Sequence, residues 1–163
     1  RLVRSGEIRR LTRGLYDYPA RHPKIGLLAP SSDAIARALA DRDSTRLQPT
    51  GGYAANLLGL SDQVPVRVVF FTDGRARKVQ VGRQQILLKR TTPRQMATAG
   101  RITGTVIQAL RWLGQEHVDD GTIATLRRQL SVNDKKRLLK DIGLAPAWVG
   151  EIFRRVARPE AGR

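Results

Sequence analysis

Arginine side chains near the amino terminus are the first feature of this sequence that could do chemistry. Arg9, Arg10 and Arg13 lie in or beside a short extended segment, and Arg1 and Arg4 precede it. A guanidinium group is always charged and donates paired hydrogen bonds, which fit phosphate oxygens and the edge of a guanine. Cations near a turn can reach a sugar–phosphate backbone. We therefore predict a DNA-binding site at these five residues, against the simpler interpretation that they are solvated and contact nothing.

A second group of cations occupies the middle of the chain. Its members are Arg75, Arg77, Lys78, Arg83, Lys89, Arg90 and Arg94, preceded by Arg67. Successive side chains of a strand point to opposite faces, so Arg77 and Lys78 cannot share one face. This segment predicts either a second contact with a DNA backbone, at a sheet edge and its turns, or a solvated surface.

Carboxylates and histidines do not form a convincing catalytic or metal-binding pattern. Asp41 and Asp43 could pair on a metal ion for phosphoryl transfer, but they lie between a helix and a turn and are flanked by arginines, which favours a solvated helix end. His22 and His117 are isolated, without the spacing of a triad or a zinc site, and are predicted on the surface. We expect no catalytic residue, no metal, no cofactor and no enzymatic activity.

A glycine pair precedes a short predicted helix. Residues 50–53 (TGGY) lack the pattern of a nucleotide-binding loop, so a tight turn with Tyr53 packed under the helix is favoured over a phosphate cradle. Asn56 on that helix could read a base, but is more simply explained as capping a loop. Trp112 and Trp148 lie on apolar helical faces and are predicted in the core.

The charge balance is the strongest signal in the composition. The chain carries 30 Lys and Arg against 14 Asp and Glu, a formal net charge of +16. The excess is spread along the chain: residues 1–30 carry seven basic and two acidic groups, and residues 61–100 carry eight and two. Such a field concentrates polyanions, which indicates a nucleic-acid partner. With three Tyr, three Phe and two Trp, base stacking on a single strand is disfavoured, and duplex DNA is the preferred partner.

Compartment and membrane association follow from what the sequence lacks. No apolar run approaches the ~18 residues that span a bilayer. The basic amino-terminal segment has no bulky apolar face opposite its cations, as a membrane-surface helix would need. The chain has no cysteine, which is compatible with a reducing cytosol. We predict a cytoplasmic protein without a membrane partner.

The predicted elements that position these residues form an α+β fold. Residues 1–5 are predicted as the end of a helix, residues 7–18 as a β-hairpin turning at Gly14, and residues 19–30, with three prolines, as a linker. A helix end followed by an arginine-rich hairpin is typical of a winged helix-turn-helix, whose hairpin, or wing, lies along phosphates. Two parts are expected: the end of this module with its linker at 1–30, and an α+β domain at 31–163.

The second part is predicted to contain a small antiparallel sheet and a carboxy-terminal helical bundle. Strands are predicted at 46–48, 66–72, 77–81 and 85–89, the last three as an antiparallel meander with one basic, solvated face. Helices are predicted at 33–40 and 50–60, and, within the bundle at 101–158, at 102–113, 123–130, 135–142 and 147–157. Asn133 or Asp134 is expected to cap the helix at 135–142.

Several segments of the chain resemble the AbiEi-like antitoxins of bacterial type IV toxin–antitoxin, or abortive-infection, systems. They are residues 1–16 (RLVRSGEIRRLTRGLY), 47–60 (LQPTGGYAANLLGL), 69–74 (VFFTDG), 89–94 (KRTTPR) and 145–148 (APAW). The wing motif alone is shared by many regulators, whereas the ordered combination is more specific. The resemblance implies that residues 1–5 correspond to the end of the recognition helix of the winged module.

The resemblance implies a function as well as a fold. An AbiEi-like protein would bind an inverted repeat in its own promoter, two copies on the DNA, and repress its operon as part of a phage-defence system. It would also neutralise a nucleotidyltransferase-like toxin, either directly or functionally, and the second basic segment could then face that toxin. The alternatives are a basic RNA-binding or ribosome-associated module without an antitoxin role, and an enzyme with an unrecognised phosphotransfer site.

Overall fold

The structure of the protein is a computed structural model that describes the strands at 9–12, 15–17, 20–22 and 26–28 as backbone, and the chain from 32 to 159, with side chains from 33. The strands are β1 (Arg9–Thr12), β2 (Leu15–Asp17), β3 (Ala20–His22), β4 (Gly26–Leu28), β5 (Leu47–Pro49), β6 (Arg67–Thr72), β7 (Arg77–Val81) and β8 (Gln84–Arg90). The helices are α1 (Ser32–Asp43), α2 (Gly51–Leu57), α3 (Ile102–Leu113), α4 (Asp120–Gln129), α5 (Val132–Lys140) and α6 (Ala147–Ala157), with 3₁₀ turns at Gln115–His117 and Ile142–Leu144. An α+β fold with a carboxy-terminal run of helices is thus confirmed.

Two hairpins precede α1. Strands β1 and β2 pair antiparallel, with Arg9 opposite Asp17 and a register shift after Arg10, which confirms the hairpin predicted there. Strands β3 and β4 form a second antiparallel pair within the segment predicted as a linker. The linker prediction is therefore wrong for residues 20–22 and 26–28, which pair with each other as strands.

The central sheet is mixed and has the order β5-β6-β8-β7. Strand β6 pairs antiparallel with β5 on one edge and parallel with β8 on the other. Strand β7 pairs antiparallel with β8 alone, through a turn at Gly82, whose φ is +59°. The predicted antiparallel meander is therefore wrong, because β5 and β8 occupy both edges of β6 and leave none for β7.

The turn after β6 shows why no hairpin forms at that point. The Asp73 carboxylate accepts hydrogen bonds from the backbone N–H and the Nε of Arg46, at 2.8 and 2.9 Å. Gly74 lies so close to Thr45 that a Cβ at this position would be 2.2 Å from the Thr45 Cγ2. Because of these contacts, the chain after β6 packs against the segment before β5. Asp73 and Gly74 therefore form a turn but not a hairpin.

Helix α1 packs on one face of the sheet and forms the first hydrophobic cluster. The buried side chains are Ile35, Ala36, Leu39, Val68, Phe70, Val79, Ile86 and Leu88. Ile35 and Leu39 are four residues apart, which puts both on the buried face of α1. Tyr53 at the start of α2 packs against Phe70, with the rings tilted by 60° and their centroids 5.2 Å apart, and burial raises the pKa of its hydroxyl to about 12.

Helices α2 to α6 enclose the second hydrophobic cluster. Val106 and Leu110 of α3 and Val149 and Phe153 of α6 are buried there, and the helices at 102–113 and 147–157 have the predicted bounds. Trp148 is half-buried at the edge of this cluster, which fits a core position in part.

Helix α5 begins earlier than predicted. Its cap is Ser131, whose hydroxyl accepts from the Asp134 N–H at 3.0 Å while the Asp134 carboxylate accepts from the Ser131 N–H at 3.0 Å. This reciprocal pair satisfies two amide groups that a helix end leaves unbonded. Asp134 therefore lies inside the first turn, and neither it nor Asn133 is the cap.

Trp112 is not in the core, contrary to the prediction. It is 48% exposed and lies over the start of α2, where a Cβ on Gly52 would be 3.4 Å from its ring.

Among the described residues, no helix has both the length and the apolar content that a bilayer crossing requires.

Candidate nucleic-acid interface

The amino-terminal hairpin is described through its backbone. Arg9 and Arg10 lie on β1, opposite Asp17 and Tyr16 of β2. Their side chains lie outside the described part of the chain, as do Arg1, Arg4 and Arg13. The DNA-binding site at these five cations therefore stays a prediction.

The described cations gather at the carboxyl end of β6 and β8. These two strands run parallel, so Thr72 and Arg90 face each other at the same end of the sheet. Strand β7 runs the other way and brings Lys78 to the same end, opposite Leu87. Thr91 continues this end, because its N–H donates to the Thr72 carbonyl oxygen at 3.1 Å. We define the sheet-end cluster by its cations, which are Arg75, Lys78, Lys89, Arg90 and Arg94.

Arg77 belongs to the same strand end but is unavailable to a ligand. Its Nε and Nη2 donate to the Asp43 carboxylate at 2.9 and 3.1 Å, and its side chain is only 16% exposed. The hydrogen bond from Arg77 is the main cause of the lowered pKa of Asp43, and the charge of Arg75, whose Nε is 4.0 Å away, adds to it. Arg77 is thus a structural residue, and Asp43 is part of an ion pair and not a solvated helix end.

The sheet-end cluster retains an excess of positive charge. Lys78, Lys89, Arg90 and Arg94 are exposed, and within residues 32–159 none of the four has a carboxylate partner. Lys78 and Lys89 lie on the solvated face of β7 and β8, while Ile86 and Leu88 point into the core. Four cations are therefore free to meet oxygen atoms of a polyanion.

Two cations of the predicted second surface lie elsewhere. Arg67 begins β6, at the opposite end of the sheet, and its Nε donates to the Gln85 side-chain oxygen at 3.2 Å. Arg83 is exposed on the turn between β7 and β8, near that same opposite end. The eight central cations thus lie at the two ends of the sheet. One end has the sheet-end cluster and the paired Arg77, and the other has Arg67 and Arg83.

A basic groove between α4, α5 and α6 was absent from the sequence-based prediction. It measures about 590 Å³, and its cations are Arg127, Arg128, Lys135, Lys136 and Arg158. Val132 and Leu139, which are 68% and 44% exposed, lie among them. Their spacing of seven residues on a lysine-rich helix could have predicted this face, but the predicted helix began after Val132 and hid the pattern.

The remaining candidate residues have structural or solvated positions. Asn56 donates to the Ser61 and Gln63 carbonyl oxygens at 3.1 Å each, which confirms that it caps a loop. The Thr50 hydroxyl donates to the Val69 carbonyl oxygen at 2.9 Å and secures the turn before α2. His117 is exposed, as predicted, and its Nε2 is 3.8 Å from Glu116. No three His, Asp or Glu side chains in the described residues are close enough to share a metal ion.

The Asp43–Arg77 pair makes a prediction about acid stability. Asp43→Asn is expected to lower the melting temperature by a few degrees at neutral pH, because the half-buried Arg77 loses its charged partner. A lowered pKa means that Asp43 contributes fully above its ordinary value of 3.8 and that its contribution disappears as the pH falls through the lowered value.

Thermal melts of the wild type and of Asp43→Asn, followed by circular dichroism between pH ~2 and ~8, check this prediction. The difference in melting temperature should be constant near neutrality and should shrink below pH ~4. Asp41→Asn, an exposed carboxylate on the same helix, is the control and should change little. A difference that persists unchanged at the acid limit would contradict the ion-pair explanation.

Comparison with known proteins identifies a family without a function. Residues 1–138 match the model of DUF6088, a family of unknown function. No curated protein and no solved structure matches the chain.

Proposed function

The chain belongs to the DUF6088 family, whose function is unknown. From its charged residues and its resemblance to AbiEi-like antitoxins, we propose that it is a duplex-DNA-binding protein that acts as an antitoxin and represses its own operon. The observation that carries the DNA-binding part is the sheet-end cluster, where Lys78, Lys89, Arg90 and Arg94 are exposed without a carboxylate partner in residues 32–159.

Electrostatics supports a polyanion as the ligand of this cluster. Asp43 and Asp73, the carboxylates at this end of the sheet, are already bonded to Arg77 and Arg46. The lowered pKa of each shows that these acids stay ionised and committed to their partners. The free cations would gain most from phosphate oxygens, whose condensed counterions are released on binding. The net charge of +16 strengthens this attraction over the whole molecule.

The amino-terminal hairpin supplies the second part of the proposed interface. The pairing of β1 and β2 supports this part, because the two strands carry Arg9 and Arg10, and the wing of a winged module is a β-hairpin that lies along phosphates. We propose that the wing and the sheet-end cluster contact sugar–phosphate backbones, and that a recognition helix ending near Arg4 supplies specificity. Binding to an inverted repeat would place two copies of the chain on the DNA.

The antitoxin role rests on the resemblance of five segments to AbiEi-like antitoxins. It predicts a nucleotidyltransferase-like toxin as partner, opposed by direct binding, by chemical modification of the toxin or by competition for its target. Coexpression of the chain with a toxin encoded beside it tests this role: growth should be rescued, and the operon promoter should be silenced. Promoter binding without rescue would leave a repressor and refute the antitoxin part.

A matched pair of double variants tests the DNA-binding part. Lys89→Ala with Arg90→Ala removes two free cations from the sheet-end cluster, whereas Arg67→Ala with Arg83→Ala removes the same charge from the opposite end. We expect the first variant to bind duplex DNA about tenfold more weakly at low salt, and the slope of log K against log salt to fall by about 1.8. The second variant should keep most of the affinity and the slope.

Fluorescence anisotropy with a labelled duplex, repeated over a salt series, measures both quantities. Equal losses in the two variants would show that only net charge matters and would refute a specific interface at the sheet end. Competition between the duplex and a structured RNA at matched salt tests the alternative function, since a tighter RNA complex would favour an RNA-binding or ribosome-associated module.

A further inference from the structure

A polar cleft lies between the segment that connects β8 to α3, the middle of α3 and the turn before α6. It measures about 530 Å³, within the range of roughly 300–1,000 Å³ that is typical of small-molecule sites. The side chains that matter for recognition are Thr92, Arg94, Gln95, Thr98, Gln108 and Arg111. We call it the connector cleft.

Two amide side chains in this cleft lack partners. Gln108 is only 8% exposed, lines the cleft, and makes no side-chain hydrogen bond to any residue within 32–159. The Oε1 of Gln95 is buried and also has no hydrogen-bond partner among these residues. Buried polar groups in folded proteins are nearly always satisfied, so the buried Oε1 of Gln95 indicates a missing polar partner. The amide of Gln108 reaches solvent in the same cleft and is free to bond a ligand.

Two guanidinium groups complete the cleft. Arg94 and Arg111 both line it and are exposed, and neither has an ion-pair partner in the described chain. A pair of unneutralised arginines suits a phosphate, because each guanidinium can donate two hydrogen bonds to its oxygens. No Asp or Glu side chain is among the residues that line the cleft.

These groups together have the chemistry of a nucleotide site. A glutamine amide presents a donor beside an acceptor, which matches the edge of a nucleobase. The arginines match the phosphate. We propose that the connector cleft binds a nucleotide, with Arg94 and Arg111 on the phosphate and Gln95 and Gln108 on the base. The site shares Arg94 with the duplex-DNA interface proposed above, and its other three ligand-binding residues lie outside that interface.

The nucleotide has two sources that this chemistry does not separate. It could be a free mononucleotide, or one nucleotide of a single strand. Isothermal titration of the full chain with AMP, CMP, GMP, UMP and inorganic pyrophosphate covers the first source. Titration with five-residue single-stranded oligonucleotides of each base covers the second.

Three variants assign the binding to the cleft. Arg111→Ala should weaken nucleotide binding about tenfold, and Gln108→Leu, which keeps the buried volume, should weaken it similarly and alter the preference among bases. Arg83→Ala removes another exposed cation, on the turn between β7 and β8, and should leave binding unchanged. Circular dichroism melts establish that Gln108→Leu is folded, and Arg111, being exposed, provides an independent variant.

The outcomes are distinct. Binding of a mononucleotide that depends on Arg111 and Gln108 supports a free nucleotide, and the same dependence seen only with oligonucleotides supports a nucleotide within a strand. The proposal would be overturned if neither mononucleotides nor oligonucleotides bind, or if Arg111→Ala and Arg83→Ala lose equal affinity. It would also be overturned if only pyrophosphate binds and its affinity is unchanged in Gln108→Leu. Duplex-DNA affinity of Arg111→Ala separates the two sites: if it is unchanged while nucleotide binding is lost, the cleft functions independently of the proposed duplex interface.

Discussion

The Arg9→Ala, Arg10→Ala variant is expected to bind every DNA duplex at least about tenfold more weakly than the wild type, whatever the base sequence. The two arginines lie on β1 of the amino-terminal hairpin, and the proposed role of that hairpin is to follow the phosphate backbone. Phosphate contacts carry no sequence information, so their loss should be uniform. Removing two of them should lower the salt slope by about 1.8.

Anisotropy titrations with the operon promoter and with an unrelated duplex, each at several salt concentrations, measure this effect. The Arg67→Ala, Arg83→Ala variant carries the same change in charge at the far end of the central sheet and is the control. An unchanged salt slope in the hairpin variant would refute the proposal that the hairpin is a wing. A loss of affinity for the promoter alone would indicate that the arginines read bases and do not contact the backbone.

Gly104→Ala is expected to have the largest effect on stability, lowering the free energy of unfolding by about 2 kcal/mol. A Cβ at this position would be 2.0 Å from the Gln48 Oε1 and 2.7 Å from the Thr98 carbonyl oxygen. Gln48 is fully buried between β5 and α3, and its Nε2 donates to the Pro49 carbonyl oxygen at 2.8 Å, so its side chain can shift only at the expense of the surrounding packing. Alanine improves helix propensity by about 1 kcal/mol, which offsets only part of the cost of overpacking.

Urea denaturation of Gly104→Ala, of Gln48→Ala and of the double variant tests the cause. Removing Gln48 takes away the closest obstacle, so the double variant should lose less stability than the sum of the single losses. Gly143→Ala is the matched control, because a Cβ there meets nothing within 4 Å, and its stability should stay close to that of the wild type. Additive losses would show that Gln48 is not the obstacle.

Regular periodicity made the carboxy-terminal helices predictable. Val106 and Leu110 recur at helical spacing on α3, and Val149 and Phe153 do so on α6, and all four are buried. The hairpin of β1 and β2 was predictable for a related reason, since two short extended runs flank Gly14. Local patterns of this kind do not depend on what the segment later packs against.

Features set by distant contacts were missed. The exposed position of Trp112 depends on the glycines at the start of α2, more than 50 residues earlier in the chain. The burial of Arg77 depends on Asp43, 34 residues away, and no local pattern separates it from its free neighbour Lys78. Alternation correctly put the two residues on opposite faces but could not say which face a helix would cover.

The amino-acid sequence by itself determined the α+β composition, the position of most helices, and the excess of cations. Tertiary structure alone decided the strand order, the sorting of the central cations into bonded and free, and the meeting of Gln95, Gln108 and Arg111 in one cleft. The physical reason is the sequence separation of the contacts. Helices and turns form through residues a few positions apart, whereas ion pairs and clefts join distant segments that become neighbours only in the completed fold.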